Sequence, residues 1–376
     1  MHAYARSGFA LLFAVGCAQS QPTPTPHDRV FVSQAGSSTI AVIDTGKGEV
    51  EQRIDVGMLP HNLLLSEDRS SLYVALVGSQ AVAEVDTSSG RVRRTMLTAP
   101  VPEHRADGTV IQAHFDQKAF SHTTCYDCHR PDGAQPKYAG DRPFGLLLSP
   151  DGKRLLVSHL RSSSIAALDL ASGSIERTVV LQPAGMATEA VALAQLGNEI
   201  WVSLRAPQPS SSPGALRRLD AVTLEPLGDA ASGADPASLL ALPSRDRVLV
   251  SNFETDSVTE QGPDGSARRH AAAPGPLGLL ALPSGEVLVA DYYSNAVSFL
   301  DLDRETSETV TLEYEGKLHA NPTHGALASD GRSAWLVTSG TDGYLVQVDL
   351  ATRRVIHQVP IDGLSFGVAV IPGAPR

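Results

Sequence analysis

The chain has 376 residues, a formal net charge of −11 and only three cysteines. Its Lys and Arg residues are not clustered, which argues against a phosphate-binding surface and so against nucleic acid as a partner. No apolar stretch approaches the length of a membrane span, so a membrane attachment would have to come from a lipid.

The N-terminus reads as a targeting segment. Arg6 gives a short basic start, Phe9 to Val15 form an apolar run, and Gly16-Cys17 follows. The sequence "AVGC" resembles the lipobox of bacterial lipoproteins. That resemblance implies a signal peptide over residues 1–16, lipidation of Cys17, and a mature chain that leaves the cytoplasm as a periplasmic or outer-membrane-anchored lipoprotein. An ordinary secreted protein cut elsewhere is the alternative. Residues 17–28, "CAQSQPTPTPHD", are Pro/Thr-rich with nothing apolar to bury, and read as an extended tether.

From residue 29 to 376 one pattern recurs. A small apolar strand leads to a turn often containing Pro-Asp-Gly or Pro-Ser-Gly, then a Val-rich strand, a polar loop and a strand ending in Asp. "FGLLLSPDGKRLLVSHLRSSSIAALDL" from Phe144 and "LGLLALPSGEVLVADYYSNAVSFLDL" from Leu277 show it clearly. The alternation fits short half-buried strands joined by tight antiparallel turns, so the fold class is all-β. Aligning the inner strands puts His61, Phe144, Glu189, Ala237, Leu277, His324 and Phe366 at one position. Every interval but the first spans one unit of four strands, which predicts a seven-bladed β-propeller. "RVFVSQAGSSTIAVIDT" reads as the second and third strands of a blade, and "LSFGVAVI" near the C-terminus reads as a first strand. Pairing of the two ends would close the ring and remove its open edges. The Asp residues that end third strands (Asp44, Asp86, Asp169, Asp220, Asp301 and Asp349) recur at blade spacing and are expected to form turns.

The second strands "LYVA" (Leu72 to Ala75), "LLVS" (Leu155 to Ser158) and "VLVA" (Val287 to Ala290) resemble the repeat of the bacterial YVTN-type β-propellers. The resemblance covers Arg29 to Ile371 apart from one insertion. It implies the propeller fold but no single function, because such propellers serve as binding scaffolds, dehydrogenase subunits and reductase domains.

The long first interval leaves an insertion of about 40 residues, from Ala99 to Arg142, between the outer strand of one blade and the inner strand of the next. Strand order places it on the face where inner strands begin, at the mouth of the central channel. It carries Cys125-Tyr126-Asp127-Cys128-His129, the c-type haem attachment motif. Two thiols three positions apart can each form a thioether to a haem vinyl group, and the adjacent imidazole then reaches the iron as proximal ligand. The motif also resembles the cytochrome-like insertions of some YVTN-type propellers, and one covalent haem c is the expected cofactor. A Cys125–Cys128 disulfide and a zinc site completed by His129 with His122 or His114 are the alternatives. Candidates for the sixth iron ligand are His104, His114 and His122, with Met96 just before the insertion and Met58 and Met186 at other blade entrances. The insertion is too short to wrap a haem alone, so one haem face is expected to rest on the propeller.

A second constellation is expected at the mouth. The aligned position contributes His61, Glu189 and His324, a possible ligand set for a second metal. The ends of second strands contribute His159, Asn252 and Asp291 as possible funnel lining. The resulting functional expectation is an exported haem c propeller that transfers electrons to or from a redox partner protein or a small-molecule substrate. The alternatives are a haem enzyme of peroxidase or oxidase type, an oxidoreductase if any enzyme, and a non-redox interaction module.

Overall fold

The second strand of each unit is an almost continuous run of Val, Leu, Ile and Ala. Such a run suits a strand buried on both faces, while the outermost strand carries the charged residues. The computed structural model, which describes residues 27–99, 142–181, 188–207 and 210–373, bears this out. All six residues of the strand Ser71–Leu76 are buried, whereas in the outer strand Arg91–Leu97 only Met96 is.

Seven four-stranded antiparallel sheets form the blades of a propeller. Blade 2 runs Pro60–Leu65, Ser71–Leu76, Ala81–Asp86 and Arg91–Leu97. Blades 3 to 7 start from the inner strands Pro143–Leu148, Glu189–Leu196, Pro236–Leu242, Pro276–Ala281 and Pro322–Leu327. A two-stranded ribbon, Glu313–Tyr314 with Lys317–Leu318, lies between blades 6 and 7.

Blade 1 closes the ring. Its inner strand is the C-terminal Ser365–Pro372, which pairs with Asp28–Gln34 through registers such as Val30↔Val370 and Phe31↔Ala369. The Asp28 carboxylate latches this blade to blade 7, accepting from Trp335 Nε1 at 2.8 Å and from the Ser329 amide at 3.1 Å. No free edge remains on the inner three strands of the closing sheet.

The inner strands lose register with their neighbours next to the channel, for example between Pro143 and Leu146. That frees backbone groups in a buried place, where each must find another partner. Serines on the second strands supply it. Ser158 Oγ accepts the Gly145 amide of its own blade at 2.8 Å and donates to the Val191 carbonyl of blade 4. Ser33 joins Gly367 to the His61 carbonyl of blade 2, and Ser251 joins Ser238 to the Leu277 carbonyl of blade 6, in the same way. Thr323 Oγ1 donates to the Phe366 carbonyl at 2.9 Å and ties blade 7 to blade 1. The backbones approach so closely that a Cβ at Gly145 would lie 2.4 Å from the Val191 carbonyl oxygen, so glycine is required there.

The repeated aspartates form turns as expected. Asp86 Oδ1 accepts the amides of Ser88 and Ser89, and Asp220 Oδ1 those of Val222 and Thr223. The Ser88 hydroxyl and Ser89 amide hold the Asp86 carboxyl, and the Thr223 and Val222 amides that of Asp220, below the usual carboxylate range.

Candidate functional site: the channel mouth

The strand pairing defines which residues share a level around the axis. The residue after the inner-strand Pro is His61 in blade 2, Phe144 in blade 3, Ala237 in blade 5 and Leu277 in blade 6. Blade 1 contributes Phe366. Two expected members move. In blade 7, Pro322 opposes Thr338 and Gly325 opposes Leu336, so Thr323 takes the position and His324 sits one place deeper. In blade 4, Leu193 opposes Val202, so Val191 takes it and Glu189 lies two places before it. An extra polar residue before an inner strand shifts the apparent alignment without disturbing the hydrophobic pattern.

This level is a plug rather than an open funnel. Phe144, Val191, Ala237 and Phe366 pack with Leu59, Leu160, Phe253 and Tyr292 in one buried apolar cluster. The His61 ring lies 4.1 Å from the Phe366 ring at 16° and 4.4 Å from that of Phe144. Burial, the largest cause, pushes its pKa down to about 3, so the imidazole is neutral. Its Nδ1 is 3.3 Å from Asn62 Oδ1. At one side Phe253, Tyr292 and the half-exposed Tyr293 form an aromatic group with centroids 4.9 to 5.8 Å apart.

Glu189 belongs to a different arrangement. Arg205, buried at the end of the second strand of blade 4, meets Glu189 Oε2 through Nη2 at 2.7 Å and Asp235 Oδ1 through Nη1 at 2.9 Å. Burial opposes charge on the guanidinium, but Asp235 and Glu189 outweigh it and hold Arg205 above its ordinary value. This Glu–Arg–Asp triad was not legible in the sequence: Arg205 ends a second strand and Asp235 precedes an inner-strand Pro, but which charged residues at those positions meet depends on the packing of blade 4 against blade 5.

His159, Asn252 and Asp291 do end second strands as expected, but all three are fully buried; His159 and Asp291 bond within their own blades, and Asn252 Oδ1 also accepts the Gly233 amide of blade 4 at 2.9 Å. His159 Nδ1 lies 3.2 Å from Ser164 Oγ, Asn252 Nδ2 donates to Thr259 Oγ1 at 3.0 Å, and Asp291 Oδ2 accepts from Ser298 Oγ at 2.6 Å. They are therefore sheet-edge polar groups, not open funnel lining. Burial lowers His159 to about 3 and raises Asp291 to about 7.

Among the described residues no group of three or more His, Cys, Asp or Glu side chains is placed to hold a metal ion. The set His61, Glu189 and His324 is thus not assembled as a ligand triad: one is stacked in the plug, one is ion-paired to Arg205, and one lies deeper in the channel. Met96 is buried in the core between blades 2 and 3 with Tyr73 and Leu155, and Met58 is also buried. Cys17, His104, His114, His122, Cys125, Cys128, His129 and Met186 lie outside the described residues. The segment holding the Cys-x-x-Cys-His motif leaves blade 2 after Leu97 and rejoins blade 3 at Pro143, whose inner strand starts at the mouth. Among the described residues no helix is long and apolar enough to cross a membrane.

Fold and mouth together define a seven-bladed β-propeller whose channel is plugged on one side. No family model matches the chain, and no curated protein matches it. Solved structures do. Hydrazine synthase of Kuenenia stuttgartiensis aligns over 97% of this chain and 100% of its own, with 14% identity and a TM-score of 0.62. Virginiamycin B lyase of Staphylococcus aureus covers 80% of this chain and 84% of its own, at 11% identity and a TM-score of 0.57. The dihydro-heme d1 dehydrogenase NirN, in complex with DHE, covers 93% of this chain and 76% of its own, at 15% identity and a TM-score of 0.56. At these identities the likeness establishes the propeller fold.

Proposed function

We propose that the protein is an exported redox propeller that carries one covalent haem c at its channel mouth and exchanges electrons there with a partner protein or small substrate. The observation that carries this reading is the Cys125-x-x-Cys128-His129 motif in a segment whose two ends join the propeller beside the plug. Cys125 and Cys128 would hold the haem through thioethers, and His129 would be its proximal ligand. When bound, the group supplies a one-electron iron couple.

The described residues fit such a group. The plug offers an apolar floor of Phe144, Phe366, Leu59 and Leu160, its imidazole is neutral, and the nearby Arg205 is ion-paired to Glu189 and Asp235. The floor would exclude water from the haem face and favour the form of lower charge. The YVTN-type resemblance supports the reading, since propellers of that type carry cytochrome-like insertions, and the likeness to a dehydrogenase of a heme substrate is consistent with it. The signal-like residues 1–16 and Cys17 support an exported, lipid-anchored protein, which would fit the compartment where c-type haems are attached.

The test is a spectrum of protein made in a cytochrome c-maturing periplasm, then denatured in alkaline pyridine with reductant. A haemochrome that survives acid-acetone extraction supports the reading. Colourless protein with Cys125 and Cys128 oxidised to a disulfide overturns it in favour of an interaction module.

A further inference from the structure

Among the described residues, no side chain closes the central channel below the plug. A cavity of about 260 Å³ is bounded by the inner strands just past the plug level. Its wall is mainly aliphatic, from Leu63, Leu146, Leu193, Leu239, Leu279 and Val368. The inner strands are buried at the plug and half-buried beyond it, so the cavity is closed toward the mouth and open toward the face where those strands end.

Three polar side chains line it: Asn62, Ser238 and His324. Asn62 is committed, because its Nδ2 donates to the Phe144 carbonyl at 3.0 Å and its Oδ1 faces His61. The other two are not. The Ser238 amide is taken by Ser251, but among the described residues nothing bonds its hydroxyl. Of the His324 ring nitrogens, Nδ1 is enclosed in the wall without a hydrogen-bond partner, which leaves Nε2 as the nitrogen offered to the cavity. Burial holds this imidazole neutral, its pKa lowered to about 4, while the Phe366 backbone beside the ring favours a proton on it. A neutral imidazole carries one proton on one nitrogen and a lone pair on the other, so Nε2 can meet a hydroxyl either as acceptor or as donor.

We propose that this channel is a binding site for a small neutral molecule with an apolar body and one hydroxyl, which His324 Nε2 and Ser238 Oγ receive beneath the plug. The site is concave and mostly apolar, with few convergent polar groups, as small-molecule sites are. Its size sets the class of ligand. An apolar cavity of about 150 Å³ holds benzene, so this one takes a six-membered ring with a few further atoms. A charged ligand is disfavoured, because no charged side chain lines the cavity to offset its desolvation. This site lies past the plug from the inner-strand starts at Pro60, Pro143 and Pro322, and the proposal does not rest on haem.

Calorimetric titration of the mature protein with phenol and, separately, with benzene tests the assignment. Phenol should bind about tenfold or more tighter, the effect of one well-made hydrogen bond to a buried imidazole. His324→Leu should abolish the preference while benzene still binds. Ala192→Leu, which narrows the channel at the level of His324, should abolish binding of both. Each variant is checked by circular dichroism and melting, and if His324→Leu does not fold, the phenol-to-benzene ratio and Ala192→Leu decide. Equal affinities, no binding of either at millimolar concentration, or phenol binding unchanged in folded Ala192→Leu would each overturn the proposal.

Discussion

His61 lies flat against Phe366, with ring centroids 4.1 Å apart and planes within 16°. The pair joins blade 2 to the blade that closes the ring, and it holds a neutral imidazole where a charged one would be desolvated. The folded-state pKa of about 3 lies below the ordinary 6.5. Between these values the unfolded chain binds the extra proton, so the stability contributed by neutral burial is complete above about pH 6.5 and is lost as pH falls toward 3. His159 and His324 act in the same direction, with values lowered to about 3 and 4. The melting temperature should therefore fall as pH is lowered from 7 to 4, and His61→Phe should reduce that slope while leaving the fold intact. A slope identical to the wild type's would refute the neutral, buried state of His61.

Asp291 contributes the opposite dependence. Burial raises its carboxyl from 3.8 to about 7, against the hydrogen bond from Ser298. Below about pH 4 this contribution vanishes as the unfolded carboxyl is protonated as well; it costs stability increasingly as pH rises through that range toward 7. Asp291→Asn keeps the shape and removes the titration. It should stabilise the protein at pH 8 more than at pH 4, as read from paired melting curves at the two pH values.

The haem ligation separates by residue. His129→Ala should retain covalent haem but lose the proximal imidazole, seen as an altered Soret band and spin state. Cys125→Ser combined with Cys128→Ser should yield protein with no covalent haem at all. Absorbance spectra unchanged in either variant would show that the motif does not hold a haem.

The all-β class, the seven blades and the closure by both ends were legible because they rest on a repeated hydrophobic pattern and on turn residues such as Asp86 and Asp220. The shared level of Phe144 and Phe366 was legible, because both stand directly after the start of regular inner strands; that they close the channel was not. Registers at Glu189 and His324 were not. One extra residue before a strand, or a Thr in place of an apolar residue as at Thr323, leaves the pattern acceptable in more than one alignment. Side-chain direction was also hidden: His159 and Asp291 occupy the expected positions, yet they point at their own sheets because Ser164 and Ser298 offer them hydrogen bonds. The triad of Glu189, Arg205 and Asp235 joins residues that no local spacing relates.

That triad makes its own prediction. Arg205 pairs with both buried carboxylates. Arg205→Leu strands two buried acids and should cost roughly 3–5 kcal/mol, the usual loss when one partner of a buried pair is removed. Adding Glu189→Gln and Asp235→Asn should restore much of that loss, because the uncompensated charges disappear. Denaturant midpoints of the single and triple variants measure both effects, and a single variant as stable as the wild type would mean the carboxylates find solvent.

The serine that bridges neighbouring blades offers the sharpest test of how the ring is held. Ser158 is fully buried, and its hydroxyl takes the Gly145 amide and gives its proton to the Val191 carbonyl. Ser158→Ala removes one small oxygen, creates almost no cavity, and leaves a buried donor in blade 3 and a buried acceptor in blade 4 unpaired. The expected loss is about 2–4 kcal/mol, one desolvation penalty for each stranded group. Ser88→Ala is the control, since Ser88 is an exposed turn serine whose hydroxyl bonds only Asp86, and surface changes of that kind usually stay within about 0.5 kcal/mol. If the two variants unfold at the same denaturant concentration, the blades are held by apolar packing alone and the serine bridges contribute nothing. If Ser158→Ala falls well below the control, polar bridges between inner strands are part of what closes the ring.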